Sequence, residues 1–569
     1  MLPIGAVLVL ALASALISLD SLISGEELLQ NGGFESTSYW DCSNIHCALS
    51  NDKHSGHHSI EVSGRHENYE SPTQNIHLTP GHSYHVSGWV KLLTDPADQH
   101  GELFHLEIGY TFQDGRHQYV SVAARQVYLT DGWVHLSGGF TASNTNIKAA
   151  RLYFPGPVPT ARFLVDEASV TSVNVVNNSN VVIDKIRKSN IHINVTTASN
   201  INKNDLRIHV LQTRKSFPFG VAVNAWRYDS NIAGGKYRDF IHKHFNWATL
   251  AGSLRWNHVE PKRGVDDYSI PLPTIHGLRN HNIKIRGHNL VWSVPQWVPD
   301  WVQQLSSDDL RHAVKSHFIR TMNTTRGLLE HWDVNNENLY SHWYQERLND
   351  PHYNLELFRM AHQQDPHVKL FLNDVNVVIN SARTKDYLDQ AKEFKAANVG
   401  LYGMGAESHF GVDQEPDPAA IKDRLDILAQ AGVPIWITEL DTQSADENKR
   451  AHYYENALRT FYGHPAVEGI IFWGFWDKLM WRGPRAALVK GENLEELTAA
   501  GRRVFDLLEN QWMTDDTRVL SQTGSHYTVR GFHGDYEVHV IYKGHDLSNL
   551  KQTFTLGKND HTLHINVHT

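Results

Sequence analysis

The chain has 569 residues, of which 41% are hydrophobic and 20% charged, and its formal net charge is −10. That length exceeds one core and predicts about two to four domains. The mildly acidic balance, without any Lys/Arg block, argues against nucleic acid or anionic membrane as the main partner.

Met1–Leu19 is an apolar run with small residues near its end, within residues 1–24. It reads as a signal peptide, although no Lys or Arg precedes the run, and an uncleaved anchor is the alternative. No later segment is apolar enough to span a bilayer. Asn177-Asn178-Ser179, Asn194-Val195-Thr196 and Asn323-Thr324-Thr325 are glycosylation acceptors if the protein is secreted. Cys42 and Cys47 are the two cysteines. A small loop disulfide or two free thiols both fit them, and no redox or metal spacing surrounds them.

Residues 26–175 read as a β-sandwich. Apolar and polar residues alternate in Tyr84–Val90 and Phe104–Tyr110, and turn residues such as Asp114-Gly115 and Asp131-Gly132 punctuate the runs. Residues 176–212 read as a linker or connecting segment, opening on the Asn/Ser stretch Asn177–Asn180. Residues 213–513 alternate between strand-like and helix-like patterns. Candidate strands are Phe217–Ala225, Phe245–Leu250, Ile283–Trp292, His331–Glu337, Lys369–Asp374, Gly400–Ser408, Pro434–Leu440 and Val467–Phe475. This series predicts a (β/α)8 barrel, since no Gly-rich phosphate loop follows the first strand as an open nucleotide-binding sheet would require. Residues 514–569 return to alternation, clearest in Tyr536–Tyr542, and predict a small C-terminal β region.

Barrel chemistry sits at the C-terminal strand ends. Several candidate strands end in residues poorly suited to a core: Asn335-Asn336-Glu337, Glu439-Leu440-Asp441, Glu407-Ser408-His409 and Arg286-Gly287-His288. Two carboxylates facing each other are what glycoside hydrolysis needs, one to protonate the leaving oxygen and one to attack or to activate water. The aromatic complement of 16 Trp, 21 Tyr and 21 Phe also suits sugars, whose C–H faces stack on flat π surfaces.

Trp332–Glu337 and Ile437–Asp441 resemble the two signatures of glycoside hydrolase family 10, the endo-β-1,4-xylanase family. Arg286–Trp292, Gly403–His409 and Phe472-Trp473-Gly474 are similar to further signatures in the same order. The resemblance implies Glu337 as acid/base and Glu439 as nucleophile of a retaining reaction. Asn336 would bind the sugar 2-hydroxyl, and His409 would orient Glu439 with support from Asp441. His288 and Trp292 would line the glycone side, and Trp473 and Trp481 would form an aromatic floor. Three departures stand out. Ala251 and Gly252 occupy the places of a Glu-Asn pair that hydrogen-bonds glycone sugars, and Arg255 that of a Lys. Glu407 stands where many members have Gln, and Val375 where Tyr is expected.

Asn31–Glu35, Val62–Tyr69 and Phe163–Asp166 resemble carbohydrate-binding modules of families 4, 9 and 22. Arg65, Tyr69, Trp89 and Tyr110 are the groove candidates. The resemblance also implies a structural calcium, with Glu35 and Asp166 as oxygen ligands. No cofactor is expected for catalysis, and the 37 histidines show no zinc-site spacing. The sequence thus predicts a secreted, extracellular, monomeric enzyme that cuts xylan. A β-1,4-glucanase is the alternative within the fold, and a carbohydrate-binding protein with weak or no catalysis is the alternative outside enzymes.

Overall fold

The computed structural model describes residues 25–94, 101–144, 146–173, 175–228 and 235–568. The expected signal peptide lies outside the described residues, as do the side chains of Asn177 and Asn178. Two units emerge from the backbone contacts. One takes residues up to 178 with 376–392 and 417–432, and the other takes the remainder.

The first unit holds an antiparallel two-sheet sandwich. One sheet orders His46–Ser50, Ser59–Ser63, Phe163–Val173, Ser83–Leu92 and Val134–Thr141, and the other Gln74–Ile76, Ile147–Tyr153, Glu102–Phe112 and His117–Val127. Strict alternation along Ser83–Leu92 sends Tyr84, Val86, Val90 and Leu92 inward. Phe34 and Trp40 stack in the same core at 4.3 Å. Burial of each such side chain contributes roughly 1.5–3 kcal/mol. Cys42 and Cys47 are disulfide-bonded.

The second unit contains a closed parallel barrel of eight strands. These are β1 (Phe219–Val223), β2 (Trp247–Leu250), β3 (Lys284–Trp292), β4 (His331–Asn336), β5 (Lys369–Val375), β6 (Leu401–Val412), β7 (Ile435–Gln443) and β8 (Val467–Phe472). One cluster is mostly aromatic: Trp247, Phe371, Trp436 and Ile471 pack together. The fully buried Arg286 lies over Phe371 and Trp436. Its guanidinium donates to Asp333 and to His331 Nδ1 (2.8 Å). Burial holds the His331 pKa well below its ordinary value, leaving a neutral ring able to accept that bond.

The segment 176–212, expected as a linker or connecting segment and strand-like at Ile191–Val195, carries regular structure. Val175–Arg187 is a helix, followed by strands Lys188–Thr197 and Leu206–Lys215. Tertiary anchoring overrides the loop-like Asn/Ser composition. Arg187 donates to the carbonyls of Tyr462 (3.0 Å), His464 (3.0 Å) and Val467 (2.8 Å) and lies over Phe217. The first strand pairs with His526–Phe532 and His561–Val567, and the second with Asp515–Val519 and Gly534–Tyr542. The C-terminal β region therefore joins these two strands in a two-sheet module with its own core of Ile191, Ile193, Ile208, Val210, Val538 and Val540. No helix among the described residues is long and apolar enough to cross a membrane.

Candidate active site

The barrel brings Asn336, Glu337, Asn373, Glu407, His409, Glu439 and Asp441 together at the C-terminal ends of β4 to β7. Local irregularity sets their aim. Glu337 follows β4 at φ 49°, a left-handed conformation unusual for a residue with a side chain, and its N–H is bonded to the Asn373 carbonyl at 2.9 Å. Between β6 and β7 the register shifts at Ala406/Glu407, which puts Glu407 opposite Glu439 and His409 opposite Asp441.

Asn373 is the hub. Its amide nitrogen is bonded to Asn336 Oδ1 (2.8 Å), Glu407 Oε1 (2.9 Å) and Glu439 Oε1 (3.2 Å), and its oxygen accepts from Thr438 Oγ1 (2.6 Å). Gly405 makes this possible, because a Cβ there would lie 2.2 Å from Asn373 Oδ1. The sequence shows Asn373 only as one more polar strand end, and its role went unassigned there. On the other side of Glu439, His409 Nε2 lies 3.1 Å from Oε2 while His409 Nδ1 lies 2.8 Å from Asp441 Oδ2. Burial disfavours charge on His409, but hydrogen bonds to Asp441 and Glu439 outweigh it, and the pKa is pushed up to about 9. At neutral pH His409 thus donates to both carboxylates.

Burial, then the neighbouring Glu439, raises the Glu337 pKa. Glu407 is buried, and its pKa is raised well above the ordinary value by that burial and by Glu439 and Glu337. Glu407, His409 and Glu439 each place one ligand atom within 4.8 Å of the others, a spacing a metal ion could bridge. Both His409 nitrogens already face carboxylates, however, and burial favours a neutral Glu407, so the donor chemistry fits proton handling better than metal binding.

His288 Nδ1 lies 3.1 Å from Asp333 Oδ2 and 3.9 Å from Glu439 Oε1. Its Nε2 and the side-chain nitrogen of Asn336 are buried with no hydrogen-bond partner among the described residues. Both are groups a sugar hydroxyl could satisfy. Trp292 stacks on Trp297 at 4.8 Å, and Arg255 lies over both rings. Burial lowers the Arg255 pKa, and Glu439, Glu407 and Glu337 work in the opposite direction, so this guanidinium senses the carboxylate cluster. Trp473 sits 5.3 Å from the His288 ring. Trp481 is 58% exposed and donates its indole N–H to Asp441 Oδ2 at 2.9 Å.

In the sandwich, two groove expectations are corrected. Tyr110 is 2% exposed and belongs to the core. Arg65 is buried and donates to the carbonyls of Asn68, Glu70, Pro157 and Val158, so it ties loops together. Trp89 is half-buried and stacked on His54 at 3.6 Å, and Tyr69 is exposed. Tyr119 and Tyr153, 5.9 Å apart across Gly109, form an aromatic pair on the four-stranded sheet that the sequence reading missed. The calcium expectation does not fit the donors. Glu35 Oε1 accepts from the N–H of His57 (2.7 Å), while Asp166 Oδ2 accepts from His54 (2.8 Å) and Ser55 (3.1 Å) and its Oδ1 from Glu167 (2.8 Å). Both carboxylates hold the 54–57 loop, and neither joins a metal-sized cluster among the described residues.

Comparison with known proteins gives two family matches. Residues 209–501 match glycosyl hydrolase family 10, and residues 26–161 match a carbohydrate binding domain. The chain is similar to Anti-sigma-I factor RsgI6 of Acetivibrio thermocellus, 34% identical over 397 residues, covering 70% of this chain and 49% of that protein. It is similar to Endo-1,4-beta-xylanase 1 of Arabidopsis thaliana, 30% identical over 509 residues, covering 88% of this chain and 51% of that protein. The chain thus spans about half the length of these curated relatives. Among solved structures, the CBM22-1–GH10 modules of Clostridium thermocellum endo-1,4-beta-D-xylanase 10B with xylohexaose cover 86% of this chain and 98% of that one, at 16% identity and TM-score 0.47. Native xylanase 10B from Thermotoga maritima covers 52% and 95%, at 24% identity and TM-score 0.46. With its family match spanning more than half of the sequence, the chain belongs to glycosyl hydrolase family 10 and carries an N-terminal carbohydrate binding domain.

Proposed function

We propose that this protein is a secreted, retaining endo-β-1,4-glycanase that hydrolyses xylan. The observation that carries the reading is the opposed setting of two carboxylates. Glu337 is held toward its protonated form by burial and by Glu439, whereas Glu439 is gripped between the Asn373 amide and a protonated His409. Glu337 protonates the glycosidic oxygen as Glu439 attacks the anomeric carbon, giving a covalent glycosyl-enzyme. Glu337 then takes a proton from water, which displaces Glu439. Asn336 presents an unpaired donor and His288 an unpaired ring nitrogen to the sugar, and Trp473 and Trp481 offer it flat faces.

Xylan is favoured because relatives such as Endo-1,4-beta-xylanase 1 carry that activity in their names. The Cys42–Cys47 disulfide supports an oxidising, extracellular setting. A purely sugar-binding role would leave the acid/base asymmetry without use. Reducing-sugar release from xylan, carboxymethylcellulose and mixed-linkage glucan decides. Release from xylan that is lost in Glu439→Ala supports the proposal. Binding with no release from any polymer would overturn it.

A further inference from the structure

Trp481 stands in the loop after β8, on a turn closed by two backbone bonds, Met480 N–H to the Trp476 carbonyl (3.0 Å) and Gly483 N–H to the Met480 carbonyl (3.0 Å). Met480 packs against Ala486 and Ala487, so the backbone that carries the indole is anchored. The neighbouring Arg482 lies over the Trp481 ring at 4.7 Å. It donates to the Phe410 carbonyl (3.0 Å) and places Nε 3.6 Å from Asp441 Oδ1. The loop is thus tied to β6 at the residue after His409, and to β7 at Asp441.

The indole N–H points into the protein. It donates to Asp441 Oδ2 at 2.9 Å, and the same oxygen lies 2.8 Å from His409 Nδ1. The Trp481 ring also meets the His409 ring at 4.9 Å and 66°. Asp441 is fully buried, and its Oδ1 has no hydrogen-bond partner among the described residues. The two donors on Oδ2 therefore fix how the carboxylate is turned. Without the indole N–H, the carboxylate pivots on its one remaining bond, and His409 turns with it. His409 Nε2 is the atom that lies 3.1 Å from Glu439 Oε2. A floor for a sugar needs only a ring face, which phenylalanine would supply. An N–H committed to a buried carboxylate is a strong, charge-assisted bond that stacking does not require.

We propose that Trp481 is a positioning residue for the nucleophile: its indole N–H fixes Asp441, Asp441 fixes His409, and His409 aims Glu439. One chain of hydrogen bonds then sets both the ring that carries the sugar and the carboxylate that attacks it. The inference rests on the reading of Glu439 as the nucleophile.

The test uses Trp481→Phe in the full chain, which keeps a ring face and deletes the donor. Trp481 is 58% exposed, so the change leaves the core alone. The substrate is a dinitrophenyl β-xylobioside, whose leaving group departs without a proton from Glu337, so release of dinitrophenolate reads attack by Glu439. Stopped-flow traces separate the maximal rate, which reads attack, from the half-saturating concentration, which reads binding. Misplacing a reacting group by about 1 Å can cost on the order of 100-fold, and losing one of two tethers on Asp441 should lower the maximal rate about 10-fold. The half-saturating concentration should stay within about 2-fold of wild type, since the ring face remains. In an Asp441→Asn background the same change should cost under about 3-fold, because groups that act as one unit are not additive. An unchanged maximal rate in a Trp481→Phe chain that melts as wild type does overturns the inference and leaves the hydrolase reading intact, whether or not binding weakens. An undiminished penalty in the Asp441→Asn background overturns it as well. A wild-type chain that releases no dinitrophenolate and hydrolyses no xylan overturns the hydrolase reading and this inference with it.

Discussion

Asp333→Ala is the sharpest test of how the barrel supports its own active site. Asp333 is buried at the centre of a charged relay: it accepts from Arg286, which is 0% exposed, and holds His288 Nδ1 at 3.1 Å. The mutation removes one partner and leaves the other charge in a low-dielectric interior. Breaking a buried pair this way costs about 3–5 kcal/mol. For a barrel of this size, each kcal/mol moves the melting temperature by roughly 2–4 °C, so a fall of about 6–20 °C is expected. The exposed pair Arg263–Asp309, at 3.3 Å, is the control, and Asp309→Ala should leave the melting temperature close to wild type. Calorimetry resolves the barrel transition, and kcat/KM on xylo-oligosaccharides should fall as well, because His288 loses its anchor. A melting temperature for Asp333→Ala within about 2 °C of wild type would refute the reasoning, since the structure offers Arg286 a strong carboxylate there.

Other outcomes follow from the same site. Because the folded pKa of His409 is raised from 6.5 to about 9, its contacts contribute about 3 kcal/mol that is fully present below pH 6.5 and lost as pH rises through about 9. Denaturant midpoints of wild type and Asp441→Asn should therefore converge between pH 6 and pH 10, and a constant gap would contradict this. Glu407 is held neutral by burial and ionises only as pH rises, placing a new charge beside Glu439. Glu407→Gln cannot ionise, so its ratio of kcat at pH 9 to kcat at pH 6 should exceed that of wild type, and equal ratios would count against the assignment. On the sandwich, Tyr119 is 61% exposed, and Tyr119→Ala should weaken binding to insoluble xylan about 5-fold, in line with an aromatic contact of about 1 kcal/mol. Unchanged retention in a pull-down assay would remove that residue from the sugar face.

The barrel was legible because each strand carries its own local signal, and the polar ends after Asn335 and Ile437 break an otherwise apolar run. Alternation was less informative in the sandwich. It says that Tyr110 and its neighbours point to opposite faces, but not which face meets the second sheet. Arg65 looked like a surface group because its carbonyl partners come from loops as distant as Pro157 and Val158. The pairing of Lys188–Thr197 with His526–Phe532 spans more than 300 residues, beyond the reach of any window of periodicity. Asn373 was hidden for a different reason: its importance lies in one amide group set within hydrogen-bond distance of acceptors on β4, β6 and β7, which only the closed barrel brings within reach.

The central claim is that Glu439 attacks the sugar. Incubation with a 2-deoxy-2-fluoro-β-xylobioside bearing a dinitrophenolate leaving group, followed by intact-mass and peptide mapping, tests it directly. The account predicts one fluoroxylobiosyl group per chain, attached to the peptide that contains Glu439 and absent in Glu439→Ala. No adduct on a chain that hydrolyses xylan, or an adduct on another residue, would contradict it.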